Sequence, residues 1–441
     1  MKKQILMTIL MAIVLSLTQI NQSHAWPIPD TGQTQCYDNE NEIPCPQPGE
    51  PFYGQDGNYL INEPSYTKLD AQGNDLPDDA YDWVMVRDNV TGLIWEIKTA
   101  RNNVADYSNP NDADNRYTWY DSNPNTNGGY AGYYNDGQNT ERYIQTLNSQ
   151  QLGGFSDWRM PSLQELLSIV KASAYNPAID TSFFMNTISD GFYWSSTSNV
   201  NELDHGRGVS FRYGYSQHSY KSNTYYVRAV RGYIYNTLEH WINNGDGTVT
   251  DTVTGLMWQQ STTEKSWSEA LTFCKQLNLA SYSDWRLPDK NELLSIVDFS
   301  KYHPSFETNI FDVPNSQWNM YFWSSTTLTY DLYHTFIFDF LYGSESGSYK
   351  SNQYNVRSVR GGQSYISEAL FITSPAQASN WKIGSIMPIQ MGYKKLFQAM
   401  SQSAFPEKVA NQEPLKQLFL PQKTMAHLIG QSPAPSQLTV C

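Results

Sequence analysis

Positive charge is scarce in this chain. Lysine and arginine number 29 against 43 aspartate and glutamate residues, so the net charge is −14 over 441 residues. An acidic surface repels nucleic acid and anionic glycans, and we expect neither as a partner. Charged residues make up only 16% of the chain, whereas aromatic residues make up 14%, including 31 tyrosines. A polar surface rich in tyrosine is typical of proteins that bind through adaptable contacts.

Long apolar segments are absent except at the N-terminus. There, Lys2 and Lys3 precede an apolar run over residues 5–17, and Ala25 ends a cleavage motif of small residues. This order is that of an export signal, and the run is too short for a membrane span. The sequence predicts a signal peptide over residues 1–25 and no transmembrane segment after its cleavage. We expect a secreted or cell-surface protein, with the periplasm as an alternative.

Cysteine is also rare, with four residues in the chain. Cys36 and Cys45 are close in sequence, and an oxidising compartment favours a disulfide between them. The remaining two are Cys274 and Cys441. Four cysteines allow three pairings, and the sequence alone does not choose among them.

The chain contains an extensive internal repeat. Three blocks recur in the same order, at residues 156–170 and 283–297, 194–197 and 323–326, and 227–232 and 356–361. A long ordered repeat with spacers of variable length indicates a duplicated domain. The chain then divides into a Pro/Gly/Asp-rich leader (26–80), a first copy (81–233), a second copy (234–363) and a tail (364–441). We expect a loosely structured leader, and one hypothesis for the tail is a truncated or frame-shifted β-sandwich remnant.

Each copy has the pattern of two helices followed by short strands. The first helix is expected over residues 266–277 in the second copy and 141–147 in the first. The second helix is expected to start at Pro161 and at Pro288, because proline suits the first helical position. Alternating apolar residues in the last third of each copy predict antiparallel strands. Helices and strands in this order favour an α+β fold.

The first copy carries an insert. Thr91 and Ser156 are 65 positions apart, but their counterparts Thr254 and Ser283 are 29 apart, a difference of 36. We assign the excess to residues 102–140, as either a binding loop or a flexible insertion. The candidate ligand-binding residues are its aromatic side chains, namely Tyr117, Trp119, Tyr120, Tyr130, Tyr133 and Tyr134.

The repeated motifs resemble the Lcl C-terminal domain family over residues 85–362. They are Asp-x-x-Thr-Gly-Leu-x-Trp, Asp-Trp-Arg-(Leu/Met)-Pro, Trp-Ser-Ser-Thr and Val-Arg-x-Val-Arg-Gly. The resemblance implies a bacterial exported domain, often found in tandem, with a role in adhesion or ligand binding at the cell surface. By analogy we expect two tandem C-type-lectin-like α+β domains, each with two helices and short antiparallel strands.

One departure from the family pattern concerns a disulfide. Members of the family often pair a cysteine of the first helix with one in the Val-Arg-Cys-Val-Arg strand. Here the helix cysteine is Cys274, but the strand positions hold Ala229 and Ser358. The resemblance therefore implies that both copies lack this disulfide and that Cys274 is a buried free thiol.

Metal binding and catalysis have weak support in the sequence. The carboxylates of Asp112, Asp114 and Asp246 are candidate calcium ligands, but none lies in an EF-hand pattern. No nucleophile motif with a defined His and Asp partner is present. We expect a non-catalytic binding or adhesion protein for an extracellular glycan or surface protein. The alternatives are an enzyme acting on envelope polysaccharide and a purely structural envelope component.

Overall fold

The computed structural model describes residues 27–232, 240–314, 319–361, 370–374 and 390–393. The chain forms two compact units, Met1–Ser364 and Tyr365–Cys441. The predicted signal peptide and most of the tail lie outside the described residues. In the second unit, strands β21 (Leu370–Ser374) and β22 (Gln390–Tyr393) pair antiparallel. No helix among the described ranges is long and apolar enough to cross a membrane.

The leader and first copy contain eleven of the described strands and two α-helices. The strands are β1 (Cys36–Tyr37), β2 (Glu42–Ile43), β3 (Tyr66–Leu69), β4 (Met85–Asp88), β5 (Ile94–Glu96), β6 (Tyr117–Thr118), β7 (Phe192–Ser198), β8 (His205–Ser210), β9 (Tyr215–Tyr220), β10 (Thr224–Tyr225) and β11 (Val230–Arg231). The helices are α1 (Thr140–Gln150) and α2 (Leu163–Ser168), and short 3-10 turns span Asp56–Asn58 and Leu152–Gly154.

The second copy repeats this order. Its strands are β12 (Trp241–Asn243), β13 (Thr248–Asp251), β14 (Leu256–Gln259), β15 (Thr263–Lys265), β16 (Tyr321–Thr327), β17 (His334–Asp339), β18 (Ser344–Tyr349), β19 (Tyr354–Val356) and β20 (Val359–Gly361). Its helices are α3 (Trp267–Gln276) and α4 (Lys290–Ser295).

Four small sheets form the blades of a four-bladed β-propeller. Their strand orders are β11-β5-β4-β3, β7-β8-β9, β12-β13-β14-β20 and β15-β19-β16-β17-β18. All pairings in these sheets are antiparallel except that of β16 with β19. The prediction of two C-type-lectin-like α+β domains was wrong. Helices of only 6 to 11 residues are minor elements, and the motif order does not specify how the sheets are arranged.

The two copies share one hydrophobic core. Its largest cluster contains Trp95 and Leu166 of the first copy together with Trp258 and Leu293 of the second. Two smaller clusters lie within the first and the second copy. The copies therefore cannot each bury their apolar surface alone, and they form one folding unit.

Equivalent ion pairs brace the second helix of each copy. Arg159 makes two hydrogen bonds to Glu165, and Arg286 makes the same two to Glu292. Each glutamate also closes a capping box at its helix N-terminus. The helices begin two residues after the predicted prolines, because Ser162 and Asp289 serve as N-caps.

The leader is ordered and packs against the second copy, which corrects the expectation of a loose segment. Cys36 and Cys45 form a disulfide. The side chain of Gln33 exchanges two hydrogen bonds with the backbone of Thr327. The Asp56 carboxylate accepts hydrogen bonds from the hydroxyls of Thr31 and Thr326, at 2.7 and 2.6 Å.

This contact buries several carboxyl groups together. Burial, followed by the charge of Asp30, raises the pKa of Asp56 to about 7. Burial raises the pKa of Asp30 to about 6, and it holds the pKa of Asp289 well above its usual range. The folded state therefore binds more protons than the unfolded state, whose aspartates titrate near pH ~3.9. The stability that these three protonated aspartates contribute is present at acid pH, and it declines as the pH rises from about 4 towards 7.

We predict that Asp56→Asn stabilises the protein at pH 7, by about 2 kcal/mol, and has little effect near pH 4. An uncharged amide keeps an oxygen for the two threonine hydroxyls, and each unit of pKa difference between the folded and unfolded states is worth ~1.4 kcal/mol. Urea unfolding at several pH values measures this. Asp79→Asn removes the same charge from an exposed position and is the control. A gain that does not depend on pH would contradict the assignment.

Candidate functional site

A cavity of about 450 Å³ lies between the two copies. Its size is that of a small-molecule site. The lining residues come from the leader, from α2 and β7 of the first copy, and from the β12–β14 region, α4 and the segment after α4 in the second copy. They are Ile28, Pro29, Ser162, Gln164, Glu165, Ser168, Thr197, His240, Trp241, Asp251, Val253, Thr254, Asn291, Leu294, Ser295, Ile296, Val297, Asp298, Phe299, Ser300 and Glu307.

The two equivalent helices α2 and α4 bring both copies to the cavity. Gln164 of α2 donates from Nε2 to the carbonyl oxygens of Leu294 and Val297, at 3.3 and 3.4 Å. Asn291 of α4 donates from Nδ2 to the carbonyl of Pro29 in the leader, at 2.9 Å. These cross-contacts hold three separate parts of the chain around one space.

One wall is built by the start of the second copy. The rings of His240 and Trp241 lie 4.3 Å apart, and Trp241 meets Phe311 edge-on at 5.0 Å. His240 Nδ1 is 2.9 Å from Asp251 Oδ1. The same carboxylate oxygen accepts from the backbone N–H of Val253, at 2.8 Å, which fixes the turn after β13.

The first copy has no such wall at the equivalent position. Strand register pairs Tyr66 with Asp88 there, as it pairs Trp241 with Asp251 in the second copy. Tyr66 packs against Phe183 and Phe184 at the edge of the core, as Trp241 packs against Phe311, but Tyr66 does not line the cavity. In addition, Asp88 Oδ2 accepts a hydrogen bond from the Thr91 hydroxyl, at 2.7 Å.

The Asp251 carboxylate is less satisfied than its counterpart. Its side chain is 1% exposed, and its Oδ2 has no hydrogen-bond partner within the described part of the chain. Asn291 Oδ1 is likewise buried without a partner among those residues. Buried acceptors without donors are costly, so a ligand that supplies a donor to these two atoms would relieve an unfavourable burial.

The cavity is acidic. Among the described residues that line it are four carboxylates and no lysine or arginine. Glu165 is paired with Arg159, which does not itself line the cavity. Lys301 pairs with Asp298, at 2.9 Å, and with Glu307, and the ring of His240 contacts Asp251. Arg159, Lys301 and His240 in its protonated form therefore oppose four carboxylates, and the remaining negative charge disfavours an anionic ligand.

Residues 84–231 and 247–360 match the model of the Lcl C-terminal domain. The chain belongs to the Lcl C-terminal domain family. The predicted resemblance and its two tandem copies are thus confirmed. The family is associated with exported bacterial proteins. No curated protein and no solved structure matches the chain.

The cavity is completed by residues outside the two Lcl matches. Ile28 and Pro29 precede the first match, and His240 and Trp241 fall between the two. Sequence reasoning missed these residues because it concentrated on the repeated motifs. The available signal was a difference between copies, since Ser65-Tyr66 and His240-Trp241 occupy equivalent places before the Asp-x-x-Thr-Gly turn.

The structure separates the six predicted binding residues into three groups by burial. Tyr117 and Trp119 are buried in the core of the first Lcl copy, which leaves them no face for a ligand. Tyr120 is half-buried and its ring meets that of Tyr134 edge-on. Tyr130, Tyr133 and Tyr134 are 45 to 63% exposed. None of the six lines the cavity.

The burial of Trp119 has a simple explanation. Its indole N–H donates to the carbonyl of Ser195 at 2.8 Å, as that of Trp267 in the second copy donates to Ser324 at 3.0 Å. Trp119 is therefore the counterpart of Trp267 in the repeat. The extra residues of the first copy form two loops, one before Trp119 and one after it. The second loop supplies carbonyls of Asn127 and Tyr130 to Lys221.

The candidate calcium ligands serve as local hydrogen-bond acceptors. Asp112 accepts from the Asp114 N–H, Asp114 pairs with Arg101 at 2.8 Å, and Asp246 accepts from the Thr248 N–H and hydroxyl. Within the described ranges, no three or more His, Cys, Asp or Glu residues are grouped so as to hold a metal ion.

Proposed function

We propose that the protein is an exported, non-catalytic binding protein that takes an extracellular glycan into the cavity between its two Lcl copies. The observation that carries this proposal is the composition of the cavity wall. Trp241 and Phe299 offer aromatic faces, and six serine and threonine hydroxyls surround them. Sugars pack apolar faces on aromatic rings and use hydroxyls for hydrogen bonds. We propose a location outside the cell or at its surface.

The alternative of a polysaccharide-acting enzyme has less support in this geometry. Glycoside hydrolysis needs one carboxyl group that donates a proton and a second that attacks or activates water. Glu165 is held by Arg159, and Asp298 and Glu307 share Lys301. Asp298 has its pKa held below the usual value, because hydrogen bonds from Ser300 and Lys301 outweigh the effect of burial. A lowered pKa makes Asp298 a poor proton donor.

We predict that Trp241→Ala lowers glycan affinity at least about tenfold, the equivalent of ~1.4 kcal/mol, because it removes the aromatic wall. A glycan array probed with the full-length protein identifies the ligand among neutral, amine-bearing and sulfated members, and titration calorimetry measures the variant. Ile242→Ala is the matched control. Its side chain is on the other face of the same strand and is 51% exposed.

Two results would contradict this proposal. One is a silent array, which would move weight to the structural alternative. The other is an unchanged affinity in Trp241→Ala, which would place the ligand elsewhere on the molecule. The exposed Tyr130, Tyr133 and Tyr134 of the insert are the next surface we propose in that case.

A further inference from the structure

We infer that the glycan carries a free amine, and that Asp251 and Asn291 receive its ammonium group at the wall of the cavity. This inference rests on the proposed function of the same cavity and adds the chemical class of its ligand. A protonated amino sugar supplies both a positive charge and three hydrogen-bond donors.

Several hydroxyls of the cavity wall already donate their protons within the protein. Ser168 and Ser295 already donate their hydroxyl protons to the carbonyls of Glu165 and Glu292, at 2.7 Å each. Ser300 donates its hydroxyl proton to Asp298. These hydroxyls retain lone pairs and can only accept from a ligand. Ligand donors can pair with these three hydroxyls, whereas Ser162, Thr197 and Thr254 accept backbone N–H groups and keep a hydroxyl proton for a ligand acceptor.

The wall also contains the two buried acceptors described above. Asp251 Oδ2 and Asn291 Oδ1 have no donor in the described part of the chain, although both residues line the cavity. In the first copy, the oxygen equivalent to Asp251 Oδ2 receives the Thr91 hydroxyl. Asp251 Oδ2 in the second copy therefore lacks the hydrogen bond that the equivalent turn of the first copy supplies to its own aspartate.

The cavity carries an excess of negative charge. Four carboxylates line the cavity, and the groups that pair with them are Arg159, Lys301 and the ring of His240. Because the net charge of the whole chain is −14, no distant positive field offsets the remaining negative charge. An ammonium group enters such a site with favourable interactions, whereas an N-acetylated or sulfated sugar lacks the charge or carries the wrong sign.

The test compares two disaccharides that differ only in acetylation. Titration calorimetry of the full-length protein is run with the glucosamine disaccharide and with its N,N′-diacetylated form. We expect the amine-bearing form to bind at least tenfold more tightly. Asp251→Asn should abolish that difference, because the amide places a donor where the charged acceptor was. Asp88→Asn alters the equivalent turn of the first copy, away from the cavity, and should preserve the tenfold preference.

The outcomes separate this inference from glycan binding itself. Equal affinity for the two disaccharides, with loss of both in Trp241→Ala, would overturn the amine and leave the cavity as a glycan site. A tenfold preference that persists in Asp251→Asn would also overturn the assignment to this carboxylate. Thermal unfolding of each variant verifies that the fold is intact, so that a loss of affinity reports on the site.

Discussion

Glu96→Gln is expected to lower the free energy of unfolding by about 3 kcal/mol, because it leaves a buried ammonium group without its counter-charge. The side chains of Glu96 and Lys98 are 0 and 4% exposed, and Lys98 Nζ lies 2.8 Å from Glu96 Oε1. The same carboxylate accepts from the Tyr143 hydroxyl and from the Ala229 N–H. Burial lowers the pKa of Lys98, and the Glu96 charge opposes that effect.

The second Lcl copy provides a natural comparison for this ion pair. Gln259 follows Trp258 as Glu96 follows Trp95, and it accepts from the Ser358 N–H as Glu96 accepts from that of Ala229. The residue equivalent to Lys98 is Ser261, so the second copy has a neutral pair at this place.

We therefore expect the double variant Glu96→Gln/Lys98→Met to be more stable than Glu96→Gln alone. Methionine fills the volume of the lysine stem without a charge, and a neutral buried pair avoids the desolvation of two ions. Guanidinium unfolding of the wild type, both single variants and the double variant gives the coupling energy. Additive losses would show that Lys98 is stabilised by the carbonyl of Pro110 rather than by Glu96.

The repeat and the family could be predicted from sequence because their evidence is local. Motifs such as Asp157-Trp158-Arg159 specify contacts within about ten residues, including the ion pair of Arg159 with Glu165. The arrangement of the sheets depends on strand pairings between distant segments. The pairing of Val230 with Trp95 is an example. Two architectures with the same order of short elements cannot be distinguished by such local patterns.

The cavity was beyond sequence reasoning for a related reason. Pro29, Gln164, Trp241 and Asn291 lie far apart in the chain and meet only through tertiary packing. The insert also concealed a residue of the repeat. Its aromatic composition indicated a binding loop, but the length difference concealed that Trp119 is the counterpart of Trp267. A buried repeat residue inside an insertion is visible only once strand pairing is known.

Ser358 occupies the position at which the family resemblance implied a cysteine opposite Cys274. Cys274 Sγ and Ser358 Oγ are 3.1 Å apart, and both residues are fully buried. Ser358→Cys is expected to form a disulfide and to raise the free energy of unfolding by about 4 kcal/mol, since the bond closes a loop between positions 84 residues apart. In the first copy the equivalent positions, Leu147 and Ala229, pack in one apolar cluster instead.

The oxidation must take place before the site is buried. Burial raises the pKa of the Cys274 thiol to about 12, so the folded protein contains almost no reactive thiolate there. We expect the disulfide when Ser358→Cys is expressed with export to an oxidising compartment, and a reduced pair when the folded protein is oxidised afterwards. Peptide mapping detects the link between positions 274 and 358, and unfolding with and without reductant measures its effect relative to wild type. Ala229→Cys places a thiol opposite Leu147 and should give no gain. A linked Ser358→Cys variant with wild-type stability would show that the native packing of Cys274 is already equivalent to the bond.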